Sequence, residues 1–206
     1  MRKNKYIGYF ALTICAISAS SLLFTSCSES EAAPTGYNSE QVAEALYTVL
    51  KSDRKVYASK IVNRLVKEEK VITAHEEWKE NQALLLPAQF IREGAEEEDD
   101  AEKPLEFSYS LQSLWPLNFE NAIKKTPAVD EGLKAVSDPE SEYYGKKWTG
   151  EETRGGQLYF VGIYPDRAVA AACWTCHNDH ENRQPEYPEF KKNDVMGGIV
   201  IRIPKN

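Results

Sequence analysis

The stretch GGIVIRIP, residues 197–204, has the pattern of a β-strand that follows a glycine turn. Its isoleucines recur at every second position, which places them on one face of a strand. These residues are Ile199, Ile201 and Ile203. GGQLYFVGIYP at 155–165 likewise leads from two glycines into a strongly apolar segment, and FSYSLQSLW at 107–115 alternates with a period of two. The second half of the chain therefore predicts a sheet.

Upstream of these strands the apolar residues follow a helical period. Asn38 and Gln41 form a capping box that predicts a long amphipathic helix over 39–67. Its apolar stripe is Val42, Leu46, Val49, Leu50, Tyr57, Ile61 and Leu65. TAHE at 73–76 predicts a second helix that stops at Pro87, and 119–136 is helical in pattern. Helices followed by strands indicate an α+β domain built on an antiparallel sheet.

The N-terminal segment predicts export and lipid attachment. A short basic region precedes a long apolar run that ends in LFTSC at Cys27. Its cations are Arg2, Lys3 and Lys5. The pattern resembles a bacterial lipoprotein signal over 1–26, a lipidated tether over 27–37 and a domain over 38–206. An uncleaved signal-anchor helix is the alternative. Either one places the domain outside the cytoplasm, and Ser28 after the cysteine favours the outer membrane over the inner.

Charge and size restrict the class of partner. The chain has 206 residues, 42% of them apolar, which suffices for one domain with a core. The formal net charge is −7, and no basic stripe exists, so nucleic acid is excluded as an expected partner. The acidic run REGAEEEDDAEK, residues 92–103, predicts a solvated surface loop.

The number of cysteines restricts the chemistry further. There are four, of which Cys15 belongs to the signal and Cys27 to the lipid anchor. Only Cys173 and Cys176 remain for the domain. A fold held together by several disulfides is therefore excluded, as is a zinc site that needs three or four thiolates.

The two remaining cysteines stand in ACWTCHNDH, residues 172–180, the attachment pattern of c-type haem. Each thiol can add to one vinyl group of the porphyrin, and the adjacent imidazole then lies beneath the iron. Cys173 and Cys176 are the predicted thioether links, and His177 is the predicted proximal ligand of one covalent haem c. Attachment takes place outside the cytoplasm, in agreement with the export signal.

Two other sites share these residue types. A zinc knuckle would use Cys173, Cys176 and either His177 or His180, but a closed site needs a fourth ligand and the remaining histidine is remote. A redox dithiol would place the motif at the start of a helix in a βαβ unit, a pattern that the sequence lacks.

The sequence does not determine the sixth ligand of the iron. Met196 is the only methionine past Met1, and a thioether there would favour electron transfer. His75 is the other candidate, at a predicted helix N-terminus that keeps its ring neutral. His180 is too close to His177 to reach the opposite haem face. A vacant position, or one shielded by Tyr57, is the third alternative.

From about Gln41 onward the chain resembles a family of bacterial c-type haem domains with a PAS-like fold. Four stretches carry the resemblance: LLLPAQFIRE (84–93), LWPLNFENA (114–122), YFVGIYPDRAVAAACWTCHN (159–178) and KKNDVMGGIVIRIP (191–204). It implies a PAS-like antiparallel sheet with flanking helices, and a haem near Trp115. Some members take the opposite ligand from a cysteine of an early helix, but this chain has no cysteine between residues 28 and 172.

These features predict a lipid-anchored monohaem cytochrome that moves single electrons or reports redox state. It is expected to work with a separate redox or signalling protein and not to be an enzyme. A haem-based sensor of a diatomic gas (NO, CO or O2), acting through a separate partner, is the alternative. A peroxidase is the third hypothesis, but the sequence offers no distal acid–base pair to support it.

Overall fold

A computed structural model describes residues 36–99, 102, 105–119 and 124–205 of the chain. They belong to one compact unit that begins at Gly36. The predicted signal, Cys27 and nearly all of the tether lie outside the described residues.

A four-stranded antiparallel sheet forms the centre of the domain, in the order β1-β4-β3-β2. Its strands are β1 Ser108–Gln112, β2 Trp148–Arg154, β3 Gln157–Arg167 and β4 Val195–Pro204. Gly155 and Gly156 join β2 to β3 with φ of 56° and 85°, a left-handed backbone that favours glycine. The α+β class and the three predicted strands are confirmed, whereas the polar edge strand β2 had no strand signal in the sequence.

Helices cover both faces of this sheet. They are α1 Ser39–Val56, α2 Pro87–Asp99, α3 Pro127–Ser137 and α4 Ala171–Asp179, with a π-helical segment at Tyr57–Glu68 that continues α1. One face buries Tyr164 and Ile201 beneath α1, and the other buries Ile163 and Val200 beneath α3. Strand β4 is thus buried along nearly its whole length. None of the described helices is both long and apolar enough to cross a membrane.

The predicted N-terminal helix is confirmed, and Val42, Leu46 and Leu50 of its predicted stripe pack against the core, whereas other members of the stripe do not. The Asn38 side chain accepts from the Gln41 amide at 2.8 Å, which is the predicted capping box. The stripe that faces the domain includes Ala43, Leu50, Arg54, Ala58 and Val62. Val49 is 59% exposed and Ile61 36% exposed, because they lie one position off this register.

Residues 73–99 differ from the prediction. The predicted helix after Thr73 is absent, and turns at 76–82 are closed by an isolated bridge between Ala74 and Leu84. Pro87 begins α2 instead of ending a helix, because proline suits the first helical turn and Gln89 caps the Leu86 amide at 2.9 Å. The acidic run is helical through Asp99, contrary to the predicted loop.

Gly197 is expected to tolerate no side chain. A Cβ atom at this position would stand 2.4 Å from the backbone oxygen of Gln112, which the β1–β4 pairing holds in place. The Gly197→Ala variant should therefore lose about 1–3 kcal/mol of unfolding free energy in a urea titration. Gly36→Ala is the control, because no atom lies within 4 Å of its Cβ. Equal midpoints for the two variants would contradict the prediction.

Candidate functional site

A cavity of about 230 Å³ lies where four parts of the fold meet. The end of α1, the start of α2, the segment that follows β1, and the motif helix α4 contribute its walls, and β4 closes it with its first residues. The apolar part of the wall includes Leu86, Leu111, Trp115, Pro116, Leu117 and Met196. The site is therefore a mostly apolar pocket with a few polar groups, the usual form of a cofactor site.

The motif residues reach this cavity together. Cys173, Cys176 and His177 all line it, and they lie on α4 with spacings of three and four residues, which share one face of a helix. The side chain of Asn178 fixes the end of α4. Its Nδ2 donates to the Phe190 backbone oxygen at 2.7 Å, and its Oδ1 accepts from the Phe190 backbone N–H at 2.8 Å. The three predicted haem-binding side chains are thus presented side by side.

The imidazole of His177 is held neutral. Burial, together with the nearby charges of Arg54 and His180, lowers its pKa to about 4. Its ring meets the Phe190 ring edge to face, with centroids 5.8 Å apart. A neutral imidazole keeps a free nitrogen lone pair, which is the form that binds iron.

The geometry does not support the zinc and dithiol alternatives. Within the described residues, no three His, Cys, Asp or Glu side chains are placed to hold a metal ion together. Cys173 and Cys176 are free thiols. Burial raises the pKa of the Cys176 thiol, although part of its side chain is accessible, whereas a reactive dithiol needs a lowered pKa. The motif does lie at the start of a helix that follows β3, but the sheet is antiparallel, unlike that of a βαβ unit.

Of the candidates for the far side of the iron, only Met196 lines the cavity. It is 5% exposed and packs in one cluster with Cys173, Trp115 and Phe190. For His75, the predicted position at a helix N-terminus is wrong. Its exposed ring is not part of the cavity wall, since the expected helix is replaced by a turn in which Nδ1 lies 2.8 Å from Glu77 Oε2.

Tyr57 is also not among the residues that line the cavity. Its hydroxyl donates to the Leu85 oxygen at 2.8 Å, and its ring stacks on Phe90 at 4.6 Å. Trp115 lines the cavity as predicted, with its ring edge-on to Phe190 at 5.4 Å. His180 lines it too, and its Nδ1 accepts from the Asn182 amide at 3.1 Å.

Several polar residues of the wall were missed by the sequence reasoning. Arg54 Nη2 lies 2.7 Å from Asp166 Oδ2, and both side chains are about nine-tenths buried. Gln112, Arg92 and Lys125 also line the cavity. Arg54 had a detectable signal, because a cation stands at a core-facing position of the α1 stripe. The other four had none that local periodicity could reveal.

No curated protein and no solved structure matches the chain. The family model described as Tll0287-like matches residues 35–204, which span every helix and strand of the domain and every residue of the cavity wall. The chain therefore belongs to the Tll0287-like family.

Proposed function

We propose that this protein is a monohaem c-type cytochrome that transfers single electrons or senses redox state outside the cytoplasm, tethered to the membrane by lipid at Cys27. The observation that carries the proposal is the convergence of Cys173, Cys176 and His177 on one cavity from one helix face. Membership of a family of c-type cytochrome-like domains supports it. The antiparallel sheet with helices on both faces is compatible with a PAS-like fold, which we include in the proposal.

The residues of the cavity fit a covalent haem. Two free thiols would hold the tetrapyrrole edge, and the neutral His177 imidazole would hold the iron. The apolar side chains of the wall suit the flat macrocycle. Arg92 and Lys125, which are partly exposed in the wall, can pair with its carboxylates. When bound, the haem supplies one-electron chemistry, and the protein sets its potential through ligands and burial.

The chain's own residues would then exclude water and fix the orientation of the iron ligand. Phe190 packs against the His177 ring and restricts its rotation. Ser113 joins the segment after β1 to the start of β4. Its hydroxyl donates to the Met196 oxygen at 2.7 Å, and the Trp115 amide donates to Ser113 Oγ at 3.0 Å. A mostly apolar pocket of this kind suits a bound redox cofactor.

A gas-binding sensor module is the second candidate. It is favoured by the position of His75 and Tyr57 away from the cavity, which leaves Met196 as the one sixth-ligand candidate in the wall. A thioether is a weak ligand, so a small diatomic molecule could replace it.

The test is to produce the full chain in a host that installs c-type haem. The intact mass is expected to exceed that of the polypeptide, after its lipid and signal processing are accounted for, by one tetrapyrrole. The band should also stain for haem on a denaturing gel. Reduced spectra that CO and NO do not change favour electron transfer, whereas ready ligand binding favours the sensor. Protein that matures without the added mass would contradict both candidates.

A further inference from the structure

Arg54 is a buried cation that has too few hydrogen-bond partners. It is 7% exposed, lies in the last turn of α1, and lines the cavity that also holds His177. A guanidinium carries five N–H donors, yet within the described part of the chain a single ion pair, to Asp166, holds the Arg54 side chain. Its Nε is fully buried and has no hydrogen-bond partner among the described residues. An orphaned donor of this kind destabilises a protein unless an acceptor is supplied to it.

The charge of the wall favours an anionic acceptor. Three cations line the cavity against two carboxylates, in a chain whose formal net charge is −7. These side chains are Arg54, Arg92, Lys125, Glu76 and Asp166. Arg92 and Lys125 are needed by the haem carboxylates in the proposed function. Arg54 is more deeply buried than they are, and it lines the same cavity as His177.

We infer that the Arg54 guanidinium is the hydrogen-bond donor for a small anion that binds the iron within this cavity, with Asp166 holding the guanidinium in place. The inference rests on the proposed haem and extends its ligand-binding alternative. It requires no electron transfer: the anion donates a lone pair to the ferric iron and accepts a hydrogen bond from Arg54. Since Arg54 touches the ligand and not the haem attachment, its loss should leave covalent haem intact.

The Arg54→Lys variant separates the donor from the ion pair. Lysine keeps a positive charge for Asp166, but it lacks the planar set of donors. Azide binding to the ferric protein, titrated by absorption, should weaken at least about tenfold, as expected when a hydrogen bond to a charged group is lost. The affinity of the ferrous protein for CO, a poor acceptor, should change less than about twofold. The control is Arg64→Lys, because Arg64 forms an exposed pair with Glu69 away from the cavity.

A measurement on the wild-type protein alone makes the test independent of the folding of any variant. The vibration of bound azide should shift in D2O, because the Arg54 protons exchange with solvent. Azide affinity that is equal in Arg54→Lys and wild type, an absent isotope shift, or a wild-type protein that does not bind azide would each overturn the inference. In all three cases a haem of the correct mass would leave the proposed function standing, whereas a missing haem mass would overturn the proposed function itself.

Discussion

A double variant with Cys173→Ser and Cys176→Ser is expected to carry no covalent tetrapyrrole when it is produced in a host that installs c-type haem. A serine hydroxyl is a far weaker nucleophile than a thiol and does not add to the porphyrin vinyl groups. The intact mass should therefore show no added tetrapyrrole once lipid and signal processing are accounted for, and the haem stain should vanish from the denaturing gel. Because both side chains are small and the pair forms no disulfide, the fold should survive the change.

Single variants and a matched control make this result specific. Cys173→Ser and Cys176→Ser alone each leave one thiol on the cavity, so each should retain part of the attached haem. Thr175→Val lies between the cysteines and removes only the bond from its hydroxyl to the Ala171 oxygen, at 2.7 Å. It should keep the full tetrapyrrole mass. A double variant that still carries the added mass would show that these thiols are not the attachment points.

Arg202→Met is expected to cause the largest loss of stability, about 3–5 kcal/mol, because the buried Glu152 carboxylate loses its close cation and keeps only the exposed Arg154, 4.0 Å away. Arg202 Nε lies 2.6 Å from Glu152 Oε1, and both side chains are more than nine-tenths buried. Glu152 also accepts from the hydroxyl of Thr126, the N-cap of α3. The pair thus joins β4 and β2 to the start of α3. Urea unfolding monitored by circular dichroism measures the loss.

A second substitution and the pH dependence check the cause. In Arg202→Met with Glu152→Leu no charge is left unpaired, so most of the lost stability should return. Burial alone would raise the pKa of the Glu152 carboxyl, but hydrogen bonds from Thr126 and Arg202 outweigh it and lower that pKa. Its contribution is therefore present above the unfolded-state pKa, about 4.3, and is lost as the pH falls through the lower folded value. A double variant as unstable as Arg202→Met would contradict this account.

The local features of the chain were predictable because each depends on neighbouring residues. The capping box at Asn38, the glycine turn at 155–156 and the alternation in β4 specify their elements within a few positions. The secondary-structure predictions were wrong where one residue type permits two structures. Pro87 can end a helix or begin one, and the acidic run after it can form a loop or a helix. The contacts of Gln89 with Leu86 and Glu76 decide that a helix begins at Pro87.

The motif is the part of the site that the sequence by itself determined. Its spacing places Cys173, Cys176 and His177 on one face of any helix, whatever surrounds them. The walls around that face were decided only by the tertiary structure, which joins Arg54 to Asp166 and brings Met196 into the cavity while His75 and Tyr57 stay outside. The reason is physical. A periodic pattern reports which side of an element is buried, but the partner it meets there depends on contacts between segments that are distant in the chain.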